Sequence, residues 1–310
     1  MKKISIITPT FNEELNIKIL CEKIKNEFAN INYEYEHVII DNCSTDKTVP
    51  ILRELCKKDK KIKVIINNKN YGHLNSPFYA MKQVNCDAAI LINSDFQDPL
   101  DLISKFINSW EKGHKIVLAK KITSDENFIM KVIRKLYYRI LNTISYSNLT
   151  KDTTGSGLYD RTVLETFKNL NDPVPYLRGL VSEIEGDIKT LPFNQPKRKF
   201  GKSKNNLYSL LDLALLGFVK HSKLPLRFII IFGFILSIIS ILVSIIFLFY
   251  KLLYWNSFDV GIAPLIIGLF FMSAIQMITL GFIGEYISTT LSHVRNLPLV
   301  VEKERINFED

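Results

Sequence analysis

Cysteine is scarce in this sequence, with four cysteines among 310 residues. They are Cys21, Cys43, Cys56 and Cys86, and no two of them form a CxxC pair. Disulfide frameworks and structural zinc sites both depend on regularly paired cysteines. The cysteine pattern therefore argues against both classes, and we expect reduced thiols that serve as packing residues.

Charged side chains are absent from two long apolar stretches, residues 228–250 and 260–284. Each stretch exceeds the ~20 helical residues that cross a hydrocarbon core. The sequence therefore predicts two transmembrane helices within residues 227–288. Residues 1–203 keep an ordinary mixture of charged and apolar residues, so one soluble domain is expected rather than a transporter of many helices.

The N-terminus lacks the long apolar core and the cleavage site of a secretory signal. The formal net charge is +9, and its excess cations are concentrated just before the first apolar stretch. The cations of this basic collar are Lys197, Arg198, Lys199, Lys202, Lys204, Lys220, Lys223 and Arg227. The loop between the two stretches holds only Lys251 and Asp259 as charged residues. Positive loops stay in the cytoplasm, so we expect an integral membrane protein with a cytoplasmic soluble domain and both termini cytoplasmic.

Residues 204–221 have apolar side chains at helical spacing, which predicts an amphipathic helix lying on the bilayer within a juxtamembrane segment 204–226. A core helix of the soluble domain is the alternative. The basic collar suits anionic lipid headgroups, and no nucleic-acid partner is expected because the membrane lies within a few residues. Residues 289–310 are expected to form a cytosolic tail.

The soluble part, residues 1–203, alternates short β-branched runs with longer segments of helical spacing. The runs lie at 4–8, 37–41, 62–66, 88–92 and 116–119, and the helical segments at about 13–28, 46–58, 74–85 and 99–112. This alternation predicts an α/β, Rossmann-like fold with a mostly parallel sheet. Ligands of such sheets bind beyond the carboxyl ends of the strands.

Polar turns follow four of these runs, and their order resembles a known family. PTFNEE, Asp-Asn-x-Ser-Thr-Asp, Asn-Tyr-Gly and SDFQDP resemble the motifs of inverting family 2 glycosyltransferases with the GT-A fold. RKFGKSK, the LPLR before the first apolar stretch and the GEY ending the second resemble the branch that makes polyprenyl-phosphate sugars. That branch includes dolichyl-phosphate mannose synthase and bacterial undecaprenyl-phosphate glycosyltransferases.

The resemblance implies transfer of a sugar from a nucleotide-diphosphate donor, by a single displacement, to a polyprenyl phosphate at the cytoplasmic membrane face. It implies a role in donor binding for a set of strand-end residues, and catalytic roles for Asp95 and Asp98. The donor-binding set is Pro9, Phe11, Glu13, Asp41, Ser44, Gly72, Ser94 and Asp95.

A divalent cation, Mg²⁺ or Mn²⁺, is the usual counter-charge for a leaving diphosphate. The family's Asp-x-Asp metal motif falls on Asn93-Ser94-Asp95, so an amide replaces the first carboxylate. The expected metal ligands are Asp95, Gln97 and Asn93, with fewer negative charges than in the family pattern.

A second departure concerns the acceptor. Many relatives carry an acid in a TGDFR-like segment, whereas this chain reads Thr153-Thr154-Gly155-Ser156-Gly157-Leu158-Tyr159-Asp160 with no acid at the matching place. A phosphate monoester with a second pKa near ~6 is already ionised at neutral pH and needs no general base. The cations and hydroxyl expected to bind the lipid phosphate are Arg134, Arg139, Arg198, Ser203 and Lys204.

Two other functions remain open from the sequence. One is transfer to a hydroxyl of a glycan or glycolipid, and the other is a non-catalytic scaffold that binds nucleotide sugars. The sequence does not identify the sugar or the nucleotide. Small residues in the first apolar stretch, such as Gly233 and Ser237, would allow close helix packing and so leave homo-oligomers open.

Overall fold

The computed structural model describes residues 2–123, 153–184, 187–196, 262–295 and 297–308, with scattered positions between 231 and 253. Eight strands in these ranges form one sheet. The strands are β1 (Lys3–Thr10), β2 (Glu34–Asp41), β3 (Ile62–Asn67), β4 (Ala88–Leu91), β5 (Ile116–Thr123), β6 (Thr153–Asp160), β7 (Ile188–Asn194) and β8 (Glu302–Ile306).

The strand order across the sheet is β7-β5-β6-β4-β1-β2-β3-β8. The pairs β1–β2, β1–β4, β2–β3 and β5–β7 are parallel. The pairs β3–β8, β4–β6 and β5–β6 are antiparallel. The sheet is therefore mixed, and its parallel half, β4-β1-β2-β3, is the half that the alternating pattern predicts.

Six helices accompany the sheet in two layers. They are α1 (Ile17–Phe28), α2 (Thr48–Lys58), α3 (Gly72–Gln83), α4 (Leu102–Glu111), α5 (Arg161–Asn169) and α6 (Leu177–Ile184). Helices α1, α2 and α4 bury their apolar faces in one cluster, and α3, α5 and α6 in another. Within β1, Ile6 belongs to the first cluster and Ile7 to the second, as expected when successive side chains point to opposite faces of a sheet. Burial on both faces explains the nearly continuous apolar runs of the parallel strands.

The predicted strands and helices of the first 120 residues are confirmed, with ends that differ by a few residues. The four cysteines are free thiols, and Cys21, Cys56 and Cys86 are buried. Burial raises the pKa of Cys21 to about 12 and that of Cys56 to about 11, which keeps both protonated and unreactive.

Helix α7 (Ile262–Arg295) contains a segment, Phe271–Arg295, that is long and apolar enough to cross a membrane. It is the one such helix among the described residues. Of the first predicted span, only scattered positions are described, and these are helical. A transmembrane helix over the first apolar stretch, residues 228–250, therefore remains a prediction.

The C-terminal segment adds the edge strand β8 to the sheet, a strand that we did not predict within the tail 289–310. Val64 of β3 lies opposite Ile306, and Ile66 lies opposite Glu304. Asn307 donates from Nδ2 to the carbonyls of Cys56 and Ile62, both at 2.8 Å. The first four residues of β8 are all charged, with alternating sign. Charged side chains are common on edge strands, and here they hide the strand from a hydrophobic pattern search.

Candidate active site

The turns after β1 and β2 are joined by hydrogen bonds that run between them in both directions. The backbone N–H of Asn12 donates to Ser44 Oγ at 2.8 Å, and that of Glu13 donates to Thr48 Oγ1 at 2.9 Å. In return, the N–H of Thr45 donates to Asn12 Oδ1 at 2.8 Å. These bonds fix one turn against the other before any ligand arrives.

Asp41 lies at the end of β2, fully buried beneath this pair of turns. Its carboxylate accepts hydrogen bonds from Ser44 N at 2.9 Å and Ser44 Oγ at 2.5 Å, with a longer contact from Thr10 at 3.4 Å. Burial raises the pKa of Asp41, and the hydrogen bonds from Ser44 act in the opposite direction. Asp41 thus shapes the turn from beneath, and the half-buried Ser44 lies nearer the surface.

Asn42 connects the end of β2 to the segment 67–76 between β3 and α3. Its Nδ2 donates to Asn70 Oδ1 at 2.8 Å and to the Gly72 carbonyl at 3.2 Å. Its Oδ1 accepts from Asn67 Nδ2, Tyr71 N and Ser76 Oγ at 3.1, 2.8 and 2.9 Å. We did not predict this residue, because a lone buried amide carries no periodic signal.

Left-handed backbone conformations mark the ends of the parallel strands. Asn12, Cys43 and Phe96 have φ angles of 56°, 64° and 57°, although none is glycine. Gly72 has φ of 83° at the start of α3. Non-glycine residues adopt this region uncommonly, and such strain concentrates at functional sites.

The turn after β4 carries the residues of the expected metal motif. Ser94 is buried and donates from Oγ to the Pro9 carbonyl at 3.1 Å, so it ties this turn to β1. Asp95 is half-buried, and its Oδ1 accepts the Gln97 N–H at 3.2 Å. Asp95 and Gln97 therefore share one tight turn at the carboxyl edge of the sheet.

Asn93, Asp98 and Ser156 form a cluster beside this turn. Asp98 Oδ2 accepts from Ser156 Oγ at 2.5 Å and from Asn93 Nδ2 at 2.9 Å, while Asn93 Nδ2 lies 3.2 Å from Ser156 Oγ. Gly157 of β6 is paired antiparallel with Leu91 of β4, which places Ser156 beside the carboxyl end of β4. Burial raises the pKa of Asp98, and the hydrogen bonds from Ser156 and Asn93 oppose this shift.

The side-chain oxygens of this turn suit a divalent cation that takes most of its ligands from a diphosphate. Among the described residues, no group of three or more His, Cys, Asp or Glu side chains is arranged to hold a metal ion. Mg²⁺ is commonly held by one or two carboxylates plus substrate phosphates. Asp95 and the buried Asp98 meet that smaller requirement.

Asp160, the nearest acid downstream of Ser156, lies at the opposite edge of the sheet, paired with Ala88 at the start of β4. It caps α5 by accepting from Thr162 N at 2.9 Å, and it accepts from Trp110 Nε1 at 2.7 Å. Burial alone would raise the pKa of Asp160, but these hydrogen bonds outweigh burial and lower it. Asp160 is thus structural.

The predicted donor and metal residues all lie at or just beyond the carboxyl ends of β1, β2, β3 and β4. The lipid-phosphate residues Arg134, Arg139, Arg198, Ser203 and Lys204 lie outside the described residues, as does the predicted helix 204–221. The sequence analysis missed Asn42 and the role of Ser156. The Thr-Gly pair before Ser156 was the available signal, since it aligns this serine with the missing acid.

Comparison with known proteins identifies the family to which the chain belongs. The Glycosyl transferase family 2 model matches residues 5–167. The SfII prophage-derived bactoprenol glucosyl transferase of Shigella flexneri is 30% identical over 306 residues, covering 97% of this chain and 98% of that protein. Glycosyltransferase YkcC of Bacillus subtilis is 29% identical, covering 99% and 95% of the two chains.

Among solved structures, glucosyl-3-phosphoglycerate synthase from Mycobacterium tuberculosis aligns with a TM-score of 0.46 and 15% identity. That alignment covers 69% of this chain and 76% of the other. The family model alone spans more than half of the sequence. The chain belongs to glycosyl transferase family 2, and it is a glycosyltransferase.

Proposed function

We propose that this glycosyltransferase moves a sugar from a nucleotide-diphosphate sugar to a polyprenyl phosphate, with inversion at the anomeric carbon. The observation that carries the proposal is Ser156, a hydroxyl hydrogen-bonded to Asp98 at the place where the resembled motif has an acid. A site without that acid suits a nucleophile that is already ionised. The full-length similarity to proteins named bactoprenol glucosyl transferase supports the same acceptor class.

The donor would lie across the turns that follow β1, β2 and β4. Pro9, Phe11 and Glu13 form the β1 side, and Ser44 stands over the buried Asp41 on the β2 side. Carboxylate and hydroxyl oxygens can accept bonds from ribose hydroxyls and base N–H groups. The bonds between the turns hold this surface in advance, which reduces the entropy lost on binding.

Asp95, with Gln97 beside it, would hold a Mg²⁺ or Mn²⁺ ion on the donor diphosphate. The ion would supply positive charge where the leaving group becomes negative. The protein's contribution is a rigid turn that presents the carboxylate at the strand end. An acceptor phosphate, ionised above its second pKa of ~6, then needs orientation rather than deprotonation.

The edge strand β8 supports placing both ends of the chain on the same side of the membrane, and the basic collar predicts that this side is the cytoplasm. It follows α7 after a short connection and pairs with β3, so the C-terminal end of α7 lies on the side of the sheet domain. If α7 crosses the bilayer, its start lies on the far side, and the chain must cross an odd number of times between residues 196 and 262. One crossing, by the apolar stretch 228–250, is the simplest solution.

The test incubates membranes that contain the full chain with radiolabelled nucleotide sugars and a short polyprenyl phosphate. We expect a labelled lipid that mild acid hydrolyses, since a sugar on a phosphate is acid-labile. Asp95→Ala should abolish it. Asp101→Ala is the matched control, because Asp101 is exposed and pairs only with Lys105 among the described contacts. A product stable to mild acid would indicate a hydroxyl acceptor, and no turnover with any donor would indicate a scaffold.

A further inference from the structure

The two carboxylate oxygens of Asp98 differ in their hydrogen bonds to the described residues. Oδ2 accepts from both Ser156 and Asn93. Oδ1 is buried and accepts no hydrogen bond from any residue that the structure describes. The residue as a whole is 3% exposed. A buried oxygen without a partner lowers stability, more so when it is charged, so its retention calls for an explanation.

The second observation concerns Asn93, which occupies the first acidic position of the metal motif. Its Nδ2 donates to Asp98 and lies next to Ser156 Oγ. An aspartate at this position would place two carboxylate oxygens about 2.9 Å apart, where they repel each other. The amide therefore supports the acid at 98.

The two departures from the family pattern, Asn93 and Ser156, thus touch each other and the same carboxylate. At both positions this chain has a hydrogen-bond donor where the resembled pattern has an acid, and both groups donate to Asp98 Oδ2. In structural terms the two substitutions are one arrangement that holds a single buried carboxylate from one side.

We propose that Asp98 is a ligand of the donor's cation through Oδ1, and that Asn93 and Ser156 are positioning residues that hold Oδ2. A carboxylate oxygen can only accept, and a divalent cation is the partner that such an oxygen favours at a diphosphate site. The inference rests on the proposed function. It restores a second carboxylate, beside Asp95, to a motif that carries only one by sequence.

The test measures Mn²⁺ affinity by the electron paramagnetic resonance signal of the free ion, using the full chain in detergent with UDP or GDP present. Asp98→Asn should weaken Mn²⁺ binding about 10²-fold, and Asn93→Ala or Ser156→Ala about tenfold, the scale for groups that orient a metal ligand. Asp101→Asn, an exposed carboxylate three residues further on, should leave the affinity unchanged.

A double-mutant cycle separates a positioning role from direct ligation. If Asn93 acts through Asp98, then Asn93→Ala combined with Asp98→Asn should bind Mn²⁺ as weakly as Asp98→Asn alone. Equal and additive effects in both backgrounds would make Asn93 an independent ligand and would overturn the proposal. Unchanged Mn²⁺ affinity in a folded Asp98→Asn protein would overturn it too.

Melting temperatures in EDTA verify that each variant folds. If Asp98→Asn does not fold, Asn93→Ala and Ser156→Ala decide, and unchanged Mn²⁺ affinity in both would contradict the proposal. The lipid product is assayed separately. If the protein makes the acid-labile lipid and Asp98→Asn leaves the Mn²⁺ affinity unchanged, the proposed function stands and this inference fails. If Asp98→Asn weakens Mn²⁺ binding but no acid-labile lipid forms, the proposed acceptor is wrong and the Asp98 site stands.

Discussion

At the scale of single residues, the site depends on polar side chains whose partners are neighbouring protein groups rather than solvent. Asp41, Asn42 and Asp98 are all at least nine-tenths buried at strand ends. Each makes hydrogen bonds that stabilise a turn at the carboxyl end of the parallel strands. Removing a buried partner usually costs more than the hydrogen bond itself contributed, because the other group stays unpaired.

Asp160→Asn tests whether the acid nearest to Ser156 in sequence takes part in the reaction. We expect unchanged turnover at saturating substrates, because Asp160 lies at the opposite edge of the sheet. Asparagine also caps helices, so only the loss of the charge at the start of α5 should lower stability, by about 0.3–1 kcal/mol. Steady-state kinetics and melting temperature together check this. A variant that stays folded and binds nucleotide but has lost turnover would place Asp160 in the mechanism.

His37 predicts a specific pH dependence of stability. It is fully buried in β2 beside Thr8 Oγ1 at 3.0 Å, and burial lowers its pKa from 6.5 to about 3. The folded chain keeps His37 neutral, whereas the unfolded chain binds a proton below pH 6.5, so the free energy of unfolding falls as the pH drops. This group alone should remove about 2 kcal/mol between pH 7 and 5.

The check compares melting temperatures of the native chain and His37→Gln at pH 7, 6 and 5. Glutamine can still bond to Thr8 but does not titrate in this range. We expect a smaller decline with acid in the variant, whatever its absolute stability. Parallel declines in the two proteins would contradict the assignment.

At the scale of elements, segment 67–76 is joined to the end of β2 by five hydrogen bonds of the Asn42 side chain. Asn42→Ala would leave Asn67 Nδ2, Tyr71 N and Ser76 Oγ without their acceptor. We expect a loss of about 2–4 kcal/mol, or a melting temperature about 5–15 °C lower. The KM for nucleotide sugar should also rise several-fold, because the segment borders the donor surface.

Asn75→Ala is the matched control for Asn42→Ala. Asn75 lies in the same region and makes one described hydrogen bond, from Nδ2 to the Pro173 carbonyl at 3.3 Å. Its replacement should lower the melting temperature by only about 2–4 °C, in line with a net hydrogen-bond contribution of about 1 kcal/mol. Equal effects of the two substitutions would show that Asn42 is not the organising residue.

The elements that the sequence predicts well are those with a strong periodic pattern. Runs such as 37–41 and 62–66 are apolar and β-branched because both faces are buried, so β2 and β3 were predicted close to their true limits. Strand β6, by contrast, contains Gly155 and Gly157, and the edge strand β8 has four consecutive charged residues. Neither composition favours a strand on its own, and tertiary pairing decides both.

The candidate site divides in the same way. The strand-end rule located the turns with Asp41, Gly72 and Asp95, because it depends only on the order of strands. It could not show that Ser156 donates to Asp98, since that contact requires β6 to lie beside β4. Partners that are distant in sequence are found only once the sheet order is known.

At the scale of the whole molecule, the pairing of β8 with β3 makes a prediction about topology. A phosphatase reporter fused after Asp310 should be inactive, because β8 joins the sheet domain, which we propose to lie in the cytoplasm. The same reporter inserted after Asn256, between the two apolar stretches, should be active. Phosphatase activity is measured in whole cells. An active fusion after Asp310 would contradict the arrangement.

Deleting residues 302–310 should destabilise the whole chain. It would uncover the edge of β3 and remove Ile306 and Phe308, which pack against the two core clusters, together with the Arg53–Glu304 ion pair. We expect loss of the monodisperse peak in size-exclusion chromatography in detergent. Removing only residues 309–310 is the control, and it should leave that peak intact.

The late position of β8 in the chain also determines when the fold can be completed. Strand β3 leaves the ribosome roughly 240 residues before its partner, since Val64 pairs with Ile306. Until then it presents an unpaired, largely apolar edge, the kind of surface on which chains associate wrongly. The partner is synthesised only after α7. If α7 crosses the bilayer as proposed, its insertion becomes a condition for finishing the sheet, and chains that fail to insert would display an open edge to cellular proteases.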